Sequence, residues 1–496
     1  MTAIITNKYR VFNVESFIRD LEIPSGRTSP DSYLYLFIGN SNSSWSNTHT
    51  GSSDIAPPEP TDSVDSDNFL WENMIALKRI LVSEVSHGII NRKWSAGKFY
   101  DIYRGDYGVG SVSGVDLITG APTYPKSLEL ANYYVVTLDG RVYICLDNNG
   151  GIPSTENPQD GGYGVGYSPF VTGDGYKWKY VTSVSSADYS RFSTIGFHPV
   201  KKITTQPMSG DSYEHQYYAQ ENAIADAGAI HTILITNAGN NTQGHTGTIG
   251  STGDQTMFNI YGDGEGLQIS AQFSGVSPYT LQKINVLTSG RGYTYCYITI
   301  DGVDNTVFEP IFTPMTGLGA DPRYDLNANY LLVNTKLEGN EYASFMVGNS
   351  YRQIGLVVNP RNYNNSVANK DTLNACYTLG LTGTGLNFTQ NSQITNINPL
   401  KGTTARVVKW DGNTNALTIN LARPYDEINY AQFDGFAIGD HISELDGAPS
   451  ATDVPIASVT NPEIKKHSGR IIYYENRIPI IRTDLQVEDI HLVLEY

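Results

Sequence analysis

Cysteine is scarce in this chain, basic residues are outnumbered, and no apolar run is long enough to cross a membrane. The three cysteines, Cys145, Cys296 and Cys376, are odd in number and far apart, so neither a disulfide framework nor a metal-ligand spacing can be built from them. Their neighbours are apolar or aromatic, as in Tyr143-Ile-Cys145-Leu and Tyr295-Cys296-Tyr297. They read as buried free thiols of a reducing compartment. Lys plus Arg number 33 against 50 Asp plus Glu, a formal charge of −17. Such a surface repels phosphate and anionic lipid, which argues against nucleic-acid and membrane partners. No segment approaches the ~20 apolar residues of a spanning helix. Met1-Thr-Ala-Ile-Ile-Thr-Asn-Lys lacks a signal-peptide pattern, so synthesis and assembly in the cytoplasm are expected.

The familiar signatures of catalysis are missing as well. The nine histidines include no His-x-x-x-His pair flanking a Glu, the arrangement that puts two zinc ligands on one helix face. No Gly-x-Ser-x-Gly elbow occurs. Ser95-Ala-Gly-Lys98 fits a Ser-x-x-Lys pattern but stands without its supporting motifs. Gly262-Asp-Gly-Glu-Gly266 has no Lys and cannot be a phosphate-binding loop, and like Gly173-Asp-Gly175 it offers too few carboxylates for calcium. Both read as turns. A carboxylate pair for glycoside hydrolysis meets in space rather than in sequence, so none of the 50 acids can be singled out. The expectation is a protein with no catalytic, cofactor-binding or metal-binding residues.

What is present is aromatic and glycine-rich. There are 34 Tyr, 16 Phe and 5 Trp, with 48 Gly, while charged residues make up only 17%. That is too much aromatic surface for disorder and suits short strands joined by tight turns. At ~150 residues per domain, 496 residues suggest several domains.

Strand candidates open the chain at Tyr9 to Phe12 and Tyr33 to Ile38. A loop dense in Ser, Asn and Pro follows from Asn40 to Asp65, and then a helix in which Asp67 is the cap and Leu70, Trp71, Met74, Leu77 and Ile80 recur at helical spacing. Ile80-Leu-Val82 and Ile89-Ile90 fit strand equally well. Tyr133 to Leu138 and Arg141 to Leu146, joined by Asp139-Gly140, form a hairpin signal, and Gly173 to Tyr180 starts another strand. From about 204 to 461 the composition turns to Gly, Asn and Thr. Within it Ile230 to Gly239 and Leu281 to Gly290 form a weak repeat with apolar residues at matching strand positions. Further strands are expected at Tyr330 to Val333, Ile354 to Val358, Ala405 to Trp410, Leu417 to Leu421, Lys466 to Tyr474, Ile478 to Ile481 and Ile490 to Leu494. A C-terminal strand paired with the N-terminal region would tie the chain ends together.

Several separated segments carry a resemblance. Ala56-Pro-Pro-Glu-Pro-Thr-Asp-Ser63, the helix from Leu70 and Ile90-Asn-Arg-Lys-Trp94 come first. Val142-Tyr-Ile-Cys-Leu-Asp147 and Gly173 to Tyr180 follow, and His467-Ser-Gly-Arg-Ile-Ile-Tyr-Tyr-Glu-Asn-Arg-Ile-Pro-Ile-Ile481 ends the set. In this order they resemble the gene-eight-product family of baseplate wedge subunits of T-even-like contractile-tailed phages. The resemblance covers roughly 1–203 and 462–496; the middle block is longer than the family's corresponding region and reads as an insertion.

It implies a mainly β, multidomain α+β protein in three parts. A wedge core takes residues 1–100 plus 462–496, so that the two chain ends share one sheet-containing domain. A second β-rich domain takes 101–203 and an inserted β-rich domain 204–461. It further implies a non-enzymatic scaffold in the virion baseplate. Such a scaffold forms a homodimer and contacts other wedge proteins; the insertion, a departure from the family, reads either as a docking surface for fibre or peripheral baseplate proteins or as a bulking domain. Within the loop, Trp45, Pro57 and Pro58 are the expected partner contacts, because a loop that long can order against a neighbour. The competing reading is a receptor-binding or glycan-degrading tail fibre or spike protein, which would carry long regular repeats where this chain has one weak pair.

Overall fold

The computed structural model describes residues 6–40, 44–47, 51–107, 114–123, 127–161, 167–251, 253–341, 344–397, 403–421, 435–445 and 452–496. The chain is mostly strand, arranged in several sheets and one closed barrel, with a few short helices. It divides into two compact units. The first holds 1–16, 86–333 and 492–496, and the second 17–85 and 334–491.

The second unit is organised on β1 (Leu34–Gly39), whose residues are all buried. A run apolar on both faces belongs at the centre of a sheet. There β1 pairs antiparallel with β2 (Met74–Ile80) on one side and with Ser350–Val358 on the other. Thr372–Asn374 and the long strand Arg470–Ile481 form the two edges. Strands from near both chain ends therefore share one sheet, separated by Ser350–Val358. Gly355 is required there, since a Cβ would fall 2.5 Å from both the Phe37 ring and the Tyr473 carbonyl oxygen.

Helix α2 (Val64–Asn73) covers this sheet and puts Leu70 and Trp71 into a core with Tyr35, Phe37 and Leu77. Its cap is Ser63, whose side chain accepts from the Ser66 backbone N–H, rather than Asp67. The helix ends at Asn73, well before Ile80. Met74, Ile75, Ala76 and Leu77 are buried in succession, and four consecutive apolar residues fit a two-sided strand better than one helix stripe.

The rest of this unit includes a closed six-stranded barrel filled by Leu379, Ile394, Val407, Leu417, Ile419 and Ile442. Its strands Thr404–Asp411 and Ala416–Leu421 pair as a hairpin. Thr378 of its first strand faces Thr460 of its last.

In the first unit, Tyr9 to Phe12 is helical, not strand: α1 spans Asn7–Leu21. Val11 and Val14 are buried at helical spacing while Tyr9 and Phe12 face solvent, a pattern that four residues alone cannot distinguish from alternation. At the other terminus Arg10 donates to the Tyr496 carbonyl at 2.9 Å.

The hairpin signal holds: Tyr134–Val136 pairs with Val142–Asp147, and Gly140, at φ +77°, supplies the left-handed residue of the turn. With Lys177–Thr182 this sheet stacks Tyr176 on Trp178 at 5.5 Å and buries Tyr143 and Tyr180. Beyond it, both copies of the weak repeat are strands, Ile230–Asn237 and Leu281–Arg291. Their matching residues Ile230 and Ile233, Leu281 and Ile284 enter one core. Cys145 and Cys376 are buried free thiols, and Cys296 is half-buried and also free.

The stretch 204–461 thus contains two separate cores, the repeat-bearing one around 230–312 and the barrel around 377–460. It also supplies Ser350–Val358 and Thr372–Asn374 to the sheet built on β1.

Candidate partner-binding surface

Between Thr28 and Leu77 the chain has no Lys or Arg, and the middle of this stretch forms a strap on the second unit. Four anchors hold the strap. Trp45 is fully buried, and its indole Nε1 donates to the Arg477 carbonyl at 2.6 Å. Asp54 accepts from the Trp45 backbone N–H at 3.0 Å. It also takes the Arg352 guanidinium on both oxygens, Nε to Oδ1 at 3.0 Å and Nη2 to Oδ2 at 3.1 Å. Asn476 donates its amide to the Pro58 carbonyl at 2.9 Å. The Tyr474 hydroxyl accepts from the Thr61 N–H at 2.6 Å and donates to the Thr61 carbonyl at 2.8 Å. The Arg352 guanidinium holds the Asp54 carboxyl below its ordinary range.

The sequence-chosen residues therefore occupy different places. Trp45 turns its ring inward, so any part it has in a partner contact is to fix the strap. Pro57 and Pro58 are half-buried on the strap itself. Residues 41–43 and 48–50 of the expected loop lie outside the described residues. The exposed apolar side chains here are Ile55 on the strap, 93% exposed, and Val64 at the start of α2, 75% exposed. Isolated apolar residues are ordinary on a surface, but here they sit among Glu59, Asp62 and Asp65, all exposed.

Sequence reasoning did not single out Asp54 or Arg352. An acid and an arginine 298 positions apart give no local signal, whereas Tyr474 and Asn476 lie inside the 467–481 motif. That motif also meets α2. Glu72 is buried, with its Oε1 3.0 Å from His467 Nε2. The Lys466 ammonium donates to the Glu72 carbonyl at 2.9 Å. Two of the segments that carried the resemblance are joined by this contact.

The other candidate motifs are turns. Asp174 accepts from the N–H groups of Thr155, Glu156 and Tyr176 and from the Ser154 and Thr172 hydroxyls. Burial raises its pKa, yet these hydrogen bonds hold it below the ordinary value. Asp263 is pulled down to about 2 by the Thr294 hydroxyl and N–H and by the Tyr295 N–H. A carboxylate committed to backbone donors is closing a turn. Ser95 and Gly97 lie on an exposed turn, with Gly97 at φ +78°. Among the described residues, no group of three His, Cys, Asp or Glu side chains could hold a metal ion, and no helix is long and apolar enough to cross a membrane.

No curated protein matches the chain. The C-terminal motif at 467–481 lies outside the stretch that a family model covers. Residues 3–150, from α1 through the strand Val142–Asp147, match the Phage-Gp8 family model, described as Bacteriophage T4, Gp8, and the match supports a structural protein of the phage baseplate.

Proposed function

We propose that the chain is a non-enzymatic subunit of a phage tail baseplate wedge, holding neighbouring wedge proteins in place while the tail assembles and contracts. The Gp8 match over residues 3–150 carries this reading. The matched stretch supplies the central strand β1, its partner β2 and the covering helix α2, so the family's pattern lies in the frame of the fold.

In this reading the subunit works as a homodimer in the virion baseplate. The core contributed by 1–100 and 462–496 and the second domain at 101–203 form the wedge body. The block at 204–461 adds two modules, around 230–312 and 377–460, as docking surfaces for fibre or peripheral baseplate proteins. Trp45, Pro57 and Pro58 belong to a partner contact through the strap that Trp45 anchors.

Light scattering coupled to size exclusion tests the assembly state. A particle of twice 54.4 kDa that joins purified wedge proteins is the expected result; a stable trimer that ignores them would overturn it.

One observation favours the fibre or spike reading. Tyr261, Tyr295 and Tyr297 are 58%, 60% and 58% exposed, and Tyr261 stands directly opposite Tyr297 across paired strands. Exposed ring faces of this kind can stack on sugars. Turnover of host polysaccharide that disappears on substituting a carboxylate would establish that reading and displace the wedge role.

A further inference from the structure

We propose that the cleft beneath the strap is a socket for an arginine side chain presented by a neighbouring baseplate protein. The cleft measures about 150 Å³, and its walls include Pro58, Glu59, Thr61, Phe69, Gln353 and Tyr474. Most of its polar groups are already satisfied. Thr61 and Tyr474 bond each other twice, and Asn476 is held between Pro58 and Gln353.

Two acceptors remain. Gln353 is 2% exposed; its Nε2 donates to Asn476 Oδ1 at 2.9 Å, and its Oε1 is buried with no hydrogen-bond partner among the described residues. A buried acceptor of this kind is costly unless something donates to it. Glu59 stands exposed on the same cleft, and its carboxylate forms no ion pair among the described residues.

The surrounding charge selects the visitor. Asp54, Glu59, Asp62, Asp65 and Asp67 lie in a stretch without a single Lys or Arg, and Arg352 pairs with Asp54. A guanidinium offers five donors in a fixed fork and can serve a carboxylate and an amide oxygen together, which a single-point ammonium does less well. The Pro58 and Phe69 rings supply an apolar passage for the aliphatic stem. The socket rests on the baseplate reading for the identity of its partner, but not for its chemistry.

The test titrates the full-length protein with N-acetyl-arginine amide and with its neutral isostere N-acetyl-citrulline amide. Arginine is expected to bind about tenfold more tightly than citrulline, and Glu59→Gln is expected to remove that preference. Gln353→Leu should weaken arginine binding as well. Because Glu59 is exposed, E59Q keeps the test valid if the core variant misfolds. Val64→Ala, at the exposed start of α2 and outside the cleft, should leave binding unchanged.

Equal affinity for the two probes, binding of neither, or an E59Q protein that keeps its full preference overturns the socket. Incorporation of the wild-type chain into baseplates is scored separately. A chain that assembles without arginine selectivity loses the socket and keeps the role; one that binds arginine but never joins a baseplate loses the role alone.

Discussion

At the scale of single residues, the strap depends on Trp45 and Asp54. Trp45→Ala removes a fully buried ring and leaves the Arg477 carbonyl without its indole donor. A loss of about 3–5 kcal/mol is expected for a buried Trp truncated to Ala, read as a lower denaturant midpoint at unchanged slope. Asp54 adds a pH dependence. Its folded pKa is depressed, chiefly by the hydrogen bonds from Arg352. Its contribution is therefore present above the unfolded carboxyl value of about 4 and is lost as pH falls through the folded value. Proteolytic cutting of the strap should rise below about pH 4 in the native protein. In an Asp54→Asn variant the cutting should already be raised at neutral pH and should respond less to acid.

At the scale of elements, legibility followed the uniqueness of the local pattern. The hairpin around Asp139-Gly140 was readable because its turn needs a residue in the left-handed region, and Gly140 provides it. The repeat was readable because both copies put the same positions into one core. Tyr9 to Phe12 was misread because the buried Val11 and Val14 become a helical stripe only over a longer window. The over-long helix from Leu70 had a different cause: Leu70, Trp71, Met74, Leu77 and Ile80 keep helical spacing across the point at Met74 where helix gives way to strand. Of the candidate site, the strap and the 474–476 segment lay within segments singled out from sequence. Their partner Gln353 did not, because only the pairing of Ser350–Val358 with Arg470–Ile481 brings it beside Asn476. That pairing is itself testable. Gly355→Ala places a Cβ against both an aromatic ring and a backbone carbonyl, and a loss of about 1–3 kcal/mol in thermal or chemical denaturation is expected from such overpacking.

At the scale of the whole molecule, the barrel is an excursion from the sheet built on β1. It leaves near Tyr377 and returns near Thr460, where its first and last strands are hydrogen-bonded neighbours. Neighbouring strands lie about 5 Å apart, so a short Gly-Ser bridge can replace the barrel without stretching the chain. Excision of 378–459 is expected to leave a folded protein with a cooperative melt, at a lower temperature. Part of that decrease comes from Asn420, which accepts from the Cys376 thiol at 2.9 Å and donates to the Asn73 carbonyl at 3.1 Å. Loss of cooperative melting on excision would mean that the barrel and the sheet fold as one body.

The strap has a practical consequence for mapping this protein's neighbours. Amine-reactive cross-linkers capture contacts through lysine, and the nearest lysines flanking the strap in sequence are Lys8 and Lys78. Trypsin likewise releases everything from Thr28 to Lys78 as one long peptide. A partner seated on the strap would therefore be reported in a lysine-directed experiment only through lysines brought in from elsewhere in the chain, such as Lys466 against Glu72, and not through the strap itself. Carboxylate-directed linkers, combined with cleavage at acidic residues, would place Glu59, Asp62 and Asp65 within reach of detection.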